Sequence, residues 1–261
     1  MGSSAEGSGA TLVVDLAERS DAADLLRRLY DEILVPSFRR EELDPYETMA
    51  ASLTDSAPTT DIAAAWKDPA EILGAIVGDW DPVSRVYLLS YLAVRAGQRN
   101  SGTGTSLMQE LPKWSRARGA LVTLAEVDDP RRHDTDPSVG DPTARLSFYA
   151  RFGATVLDLP YFQPRLTAKG RRAHGMLLLA FDVHADALVD GGATVHVLRS
   201  DVISSFLLRY FAVEEGLKEP LEGRNDPDLA RLLDQASSPA GIRLLPIAQY
   251  VDVQPDVAGS G

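Results

Sequence analysis

The apolar positions along this 261-residue chain change their period several times, and each change marks an element. Leu12-Val13-Val14 is a short apolar run of strand type. From Asp21 to Phe38, residues Leu25, Leu26, Leu29, Ile33 and Leu34 recur at helical spacing behind Ser20 or Asp21 as a cap, so an amphipathic helix is expected there. A second, shorter helix is expected over 41–53. Three apolar runs follow, Ile62–Trp66, Glu71–Val77 and Arg85–Val94, separated by Lys67-Asp68-Pro69 and Asp81-Pro82. Turn residues between runs of that kind predict three strands joined as antiparallel hairpins.

After Arg95 the pattern changes to a glycine-containing loop, a helix reaching about Arg118 with Gly119 just past its end, and the strand Leu121–Val127. Strand, crossover helix and strand make two parallel neighbours joined right-handedly. Pro112 falls inside that helix and removes one of its hydrogen bonds, yet Leu107, Met108, Leu111, Trp114 and Ala117 carry the apolar stripe across it. A kink rather than a break is expected. A polar loop runs from Asp128 to Pro142, and a short helix with Leu146, Phe148, Tyr149 and Phe152 ends before Gly153. Strands at Ala154–Leu159 and Met176–Val183 complete a mixed, mostly antiparallel sheet with flanking helices, an α/β (α+β) class.

Beyond Val183, Ile203, Phe206, Leu207, Tyr210 and Phe211 share one helical face, Asn225-Asp226-Pro227 caps a helix through Leu233, and 242–247 reads as a last strand. Residues 184–261 are therefore expected to be an extension packed on a main domain of residues 11–183. Residues 1–10, rich in Gly and Ser, have no core-forming side chains and are expected to be disordered.

Composition narrows the function classes. With 44% apolar and 25% charged residues the chain can build a globular core, which excludes disorder and fibrous repeats. A net charge of −12 repels phosphate backbones and anionic headgroups, so neither nucleic acid nor a membrane surface is an expected partner. There is no cysteine, hence no disulfide, thiolate nucleophile or Cys-ligated metal. The first residues lack the basic and apolar stretches of a signal peptide, and no apolar run is long enough to span a bilayer. The expected compartment is the cytoplasm.

The most informative segment is 94–107, Val-Arg-Ala-Gly-Gln-Arg-Asn-Ser-Gly-Thr-Gly-Thr-Ser-Leu. A strand end, a small glycine-rich turn and a helix start leave backbone N–H groups unpaired at the positive end of a helix dipole, which is an anion cradle. Gly102 and Gly104 present no Cβ to a diphosphate, and Arg99 adds a positive charge at the rim. A nucleotide-hydrolysing loop would need a Lys before the Ser or Thr, and Gly104-Thr105 has none. A dinucleotide fingerprint would need a third glycine where Leu107 stands, although Glu126 imitates its ribose-binding acid. A glycine-rich loop that merely caps a helix remains the plain alternative.

The pattern Arg99-x-x-Gly102-x-Gly104 between an apolar strand and a helix, followed by Phe148-Tyr149-Ala150-Arg151-Phe152-Gly153-Ala154, resembles the GNAT superfamily of N-acetyltransferases. The element order over residues 11–183 is similar too, and the remaining tail lies outside the resemblance. The resemblance implies acyl-coenzyme A, most simply acetyl-CoA, as co-substrate, with its diphosphate on the amides of Arg99, Asn100, Ser101, Gly102, Thr103, Gly104 and Thr105. It implies that Leu92, Ala93 and Val94 offer main-chain groups to the pantetheine arm, in a split between two parallel strands. Tyr149 takes the position of a general acid toward the coenzyme A sulfur, and Glu126 that of a general base or amine anchor. Their plain alternatives are a core aromatic and a solvated strand-end charge.

The implied reaction is direct attack of an amine on the thioester in a ternary complex. No covalent intermediate is expected, because cysteine is absent and no Ser-His pair is legible. Candidate acceptor contacts are Tyr91, with Ser90 beside it, and the loop residues Asp128, Asp129 and His133, where Asp134 and Asp136 could also attract an ammonium group and Arg131 and Arg132 a carboxylate. The four histidines show no ligand spacing, so no metal is expected. The acceptor is a small-molecule or peptide amine, and an acyl-carrier protein or a homodimer through the tail are further partners to consider. Rival functions are an acyltransferase for longer-chain or carrier-borne thioesters, a non-catalytic acyl-CoA-binding regulator and, more remotely, a nicotinamide oxidoreductase.

Overall fold

The computed structural model describes residues 11–68, 70–98, 100–136, 140–166, 170–189, 196–217 and 226–251. The chain folds as two compact units, residues 1–79 with 90–114, and residues 80–89 with 115–261. Strand pairing is mostly antiparallel, and β4 pairs with β5 in parallel.

In the first unit, β1 (Leu12–Asp15) pairs antiparallel with β2 (Thr60–Asp68), and β2 with β3 (Glu71–Asp81), whose last residues pass into the second unit. Between β1 and β2 lie α1 (Ala22–Leu29), which continues as a π-turn over Tyr30–Leu34, and α2 (Tyr46–Ser52). The helix expected over 41–53 begins only at Tyr46 because Pro45, in an extended conformation at its cap, cannot lie inside a helix with Asp44 before it. Leu25, Leu26, Leu29, Ile33, Leu34 and Met49 bury against Ile62, Ala64, Trp66, Ile72, Ala75 and Val77, the alternate residues of β2 and β3. A bulge at Ala65/Trp66 lets those positions keep one face. β4 (Val86–Val94) contributes Ser90–Val94 to this unit, followed by α3 (Thr103–Met108) and the start of α4 (Leu111–Arg118).

The expected kink at Pro112 is a break. Gln109 and Glu110 form a turn, and the chain restarts as α4, with Lys113 N–H and Trp114 N–H both donating to the Glu110 carbonyl. Pro112 is the second residue of the new helix, where its missing N–H costs nothing. Gly119, with φ +73°, ends α4 in the left-handed conformation that glycine tolerates best.

In the second unit, Val86–Leu89 of β4 pairs in parallel with β5 (Val122–Asp128) through Leu89↔Ala125. α5 (Pro142–Ala150) follows, capped by Asp141, and then β6 (Thr155–Leu157) and β7 (Met176–Phe181). β8 (Val197–Leu198) escaped the sequence pattern because two residues show no period. α6 (Ser200–Glu214), α7 (Pro227–Ala236, capped by Asp226) and β9 (Ile242–Pro246) complete the unit. The order from β5 is β7-β6-β9-β8, so the region beyond residue 183 adds two strands to the sheet. Val202, Ile203, Phe206, Leu207 and Phe211 of α6, with Leu229, Leu232 and Leu233 of α7, cover Val122, Leu124, Leu178, Ala180, Leu157 and Leu244. Burying that many large side chains ties the tail to the sheet at roughly 1.5–3 kcal/mol each.

Candidate functional site

The loop between β4 and α3 turns by way of three left-handed residues, Gly97 (φ +82°), Asn100 (φ +67°) and Gly102 (φ +85°). Gly102 is the residue before α3, and a Cβ there would meet nothing within 4 Å, so its glycine serves conformation and leaves open space in front of the helix. Ser101 Oγ bonds to Thr103 Oγ1 at 2.8 Å and accepts from Thr103 N–H at 3.4 Å, and Thr103 is fully buried. The N–H groups of Asn100, Gly102, Gly104 and Thr105 have no acceptor among the described residues. Such amides are the donors an anionic diphosphate needs. Arg99, expected at the rim, lies outside the described residues.

Of the three positions expected to meet a pantetheine arm, Ala93 turns its main-chain groups toward β3. Its carbonyl oxygen lies 2.7 Å from where a Cβ on Gly74 of β3 would be, and Arg95 N–H donates to the Leu73 carbonyl at 2.8 Å. Main-chain groups alternate along a strand, so those of Leu92 and Val94 point away from β3. These are the groups that an extended arm could meet. Gly74 is required here by closeness: Leu107 Cδ1 and Thr103 Cγ2 of α3 also crowd its missing side chain, at 3.0 and 3.1 Å.

Ser90 and Tyr91 prove to be tied to carboxylates that the sequence did not flag. Tyr91 is buried, donates to Asp44 Oδ2 at 3.0 Å and accepts from Asp44 N–H at 3.1 Å, with Phe38 edge-on to its ring. Ser90 Oγ donates to Asp79 Oδ2, and Thr60 Oγ1 to Asp79 Oδ1 at 2.6 Å. Burial pushes Asp44 and Asp79 above the usual carboxylate value, against the pull of those hydroxyls. No pattern of spacing links residues 44, 60, 79 and 90; only strand pairing does.

In the second unit, Glu126 is the centre of a polar cluster. On β5 it shares a face with Val122 and Leu124, the face that α6 and α7 cover, and three neutral groups converge on its carboxylate. Tyr161 Oη donates to Oε1, Gln163 Nε2 to Oε2 at 2.8 Å, and Tyr210 Oη to Oε2 at 3.0 Å. Burial raises its proton affinity, and the three donors, which favour the anion, offset part of that rise. Burial and the Glu126 charge hold both phenols well above the usual tyrosine value, so they remain donors. None of the three partners was singled out by sequence. Tyr210 reads there as one more member of the apolar stripe of α6, and Tyr161 and Gln163 follow Pro160 in a stretch with no motif.

Tyr149, on α5, is buried and packs edge-on to Phe181 and to its neighbour Phe148, with centroids 5.5 Å apart in each case. Its hydroxyl finds no hydrogen-bond partner among the described residues, and burial pushes its pKa up. Phe181 stands opposite Thr123 in the β5–β7 register, on the other face from Glu126. The two catalytic candidates thus sit on opposite faces of β5.

The acidic loop is less bare than its sequence. Asp128 faces Arg145 at 3.6 Å, and Asp129, almost fully buried, takes a two-pronged ion pair from Arg131 and the Arg131 backbone N–H. Burial acts to raise the Asp129 pKa, but Arg131 outweighs it and holds the carboxyl below its ordinary value. His133 is half-buried, with Nε2 3.0 Å from the His174 carbonyl. Among the described residues no three His, Asp or Glu side chains are placed to hold a metal ion, and no helix is long and apolar enough to cross a membrane.

Residues 24–136 match the model of the acetyltransferase (GNAT) family. No curated protein matches the chain. Among solved structures it is similar to a Bacteroides thetaiotaomicron protein assigned to the GNAT family of acetyltransferases, at 18% identity over 68% of this chain and 89% of that one, with a TM-score of 0.49. The ribosomal-protein-S18-alanine N-acetyltransferase of Escherichia coli matches at 13% identity, 70% and 97% coverage and a TM-score of 0.44. An aminoglycoside 6'-N-acetyltransferase complexed with coenzyme A matches at 19%, 65% and 95%, also with a TM-score of 0.44.

Proposed function

We propose, on the match of residues 24–136 to the model of the acetyltransferase (GNAT) family, that the chain is an acyl-CoA-dependent N-acyltransferase, most simply an N-acetyltransferase. The observation that carries this reading is the loop 100–105, inside the family match, where two glycines and a helix start leave amides without acceptors among the described residues. Those amides hold the diphosphate, and the outward main-chain groups of Leu92 and Val94 align the pantetheine arm. Bound acyl-CoA supplies an activated thioester carbonyl.

The chain's own residues then have two tasks. The acceptor nitrogen forms a bond to the acyl carbon as the carbon–sulfur bond breaks; one proton must leave the nitrogen and one must reach the thiolate. Glu126, whose proton affinity burial raises, takes the proton from the amine directly or through a water. Tyr149, kept protonated by burial and with its hydroxyl uncommitted among the described residues, gives the proton to sulfur. Both tasks need heavy-atom approaches of about 2.6–3.2 Å in the complex.

A thiol-release assay with acetyl-CoA against polyamines, amino acids and aminoglycosides tests the proposal. Turnover on at least one amine is expected, with Glu126→Gln and Tyr149→Phe losing it while still binding coenzyme A. Binding of coenzyme A with no turnover on any amine, and none with a longer acyl thioester, would instead make the chain an acyl-CoA sensor.

A further inference from the structure

The region beyond the family match reaches into the Glu126 cluster. Tyr210 lies on α6, 84 residues after Glu126, and donates to its Oε2. Five residues further on, Glu215 at the end of α6 is buried and receives both prongs of the Arg172 guanidinium at 2.6 Å. The same guanidinium donates to Asp226, the residue that caps α7. It also lies over the ring of Phe162, 5.0 Å from the centroid, and Phe162 separates Tyr161 from Gln163. The residue after Arg172, Ala173, exchanges two main-chain hydrogen bonds with Gln163, at 2.9 and 3.1 Å. One side chain therefore braces both segments whose donors meet on Glu126.

We infer that α6 is a working part of the Glu126 site, with Tyr210 fixing the carboxylate and Arg172 acting as the positioning residue that holds Tyr210, Tyr161 and Gln163 on it. The catalytic half of this inference rests on Glu126 being the proton acceptor proposed above. Among the described residues the groups facing Glu126 are two phenols and an amide, while Leu178 of β7 stands opposite it in the sheet and the charge of Glu214 acts on both phenols. Among these there is no cation, so the anion depends on neutral donors whose worth falls steeply with misplacement. A brace that sets their positions then sets the proton affinity of the carboxylate without touching it.

The test is the titration of Glu126 in the full chain, read by carbon-13 NMR of labelled glutamate carboxyls and assigned with Glu126→Gln. Tyr210→Phe removes one donor to the anion and should raise the midpoint by about one pH unit, a tenfold change in proton affinity. Arg172→Met should move it in the same direction, and Arg172→Lys, which keeps charge but not the fork, should restore it in part. The acid limb of kcat/KM should move with the midpoint, with KM for acetyl-CoA within twofold of wild type. A lower melting temperature in Arg172→Met with an unmoved Glu126 midpoint would overturn the positioning role, and an unmoved midpoint in Tyr210→Phe would overturn the inference even if Arg172→Met fails to fold. Absence of turnover in wild type would refute the acyltransferase proposal and the catalytic half, while the titration would still decide the positioning.

Discussion

Replacing Gly74 by Ala places a methyl group where the backbone has already closed in. Its carbon would lie 2.7 Å from the Ala93 carbonyl oxygen, closer than the 3.0 Å below which something must shift, and 3.0–3.1 Å from Leu107 and Thr103. A strand glycine replaced by alanine ordinarily gains about 0.4–1 kcal/mol through the unfolded chain. Forcing a methylene into a packed site costs about 1–3 kcal/mol, and here the closest atom is main chain, which cannot rotate away. The cost wins by about 1–2 kcal/mol, which corresponds to a fall in melting temperature of roughly 2–8 °C. Ala93 lies on β4 and Thr103 opens α3, the elements proposed to hold coenzyme A, so affinity for it should fall as well. Urea unfolding gives the stability and calorimetric titration the affinity; a variant as stable as wild type, with unchanged affinity, would refute the close-packing argument.

Tyr149→Phe should leave coenzyme A affinity within about twofold and lower turnover by about 10²-fold or more, the usual contribution of a positioned acid; equal turnover would return Tyr149 to a packing role. Thr123 Oγ1 is buried with no partner among the described residues, so Thr123→Val should raise stability by about 1 kcal/mol in urea unfolding, and a loss of that size would contradict it. Glu126 has a higher pKa folded than its ordinary 4.5, so its contribution to stability is fully present below 4.5 and is lost as pH rises through the folded value. Wild type should therefore lose stability relative to Glu126→Gln across that window and run parallel to it above; a gap that widens in favour of wild type as pH rises would reverse the assigned shift.

Period and punctuation made most of the fold legible. The helical recurrence from Leu25 to Leu34, the hairpin strands, and Gly119 closing a crossover helix all depend on local rules that chain neighbours satisfy alone. Where a short-range signal competed with a longer one, the stripe misled: apolar spacing carried across Pro112, but the missing N–H divided the helix at Gln109–Glu110. The glycine-rich turn before α3 was legible because consecutive residues form it. The partners of Glu126 were not, since Tyr161, Gln163 and Tyr210 reach it from 35, 37 and 84 residues away and only the folded sheet and α6 bring them there. Likewise the acidic loop looks like a field of bare charge in sequence, while Asp129 is spent on its neighbour Arg131.

The central claim is that the amides of 100–105 grip the diphosphate of coenzyme A, and amide-resolved NMR during titration with coenzyme A tests it most directly. The account predicts that the nitrogen-15 and proton shifts of Asn100, Gly102, Gly104 and Thr105 move together with saturation, and that NADH leaves them in place. Coenzyme A binding that moves other amides and leaves these four unchanged would contradict it.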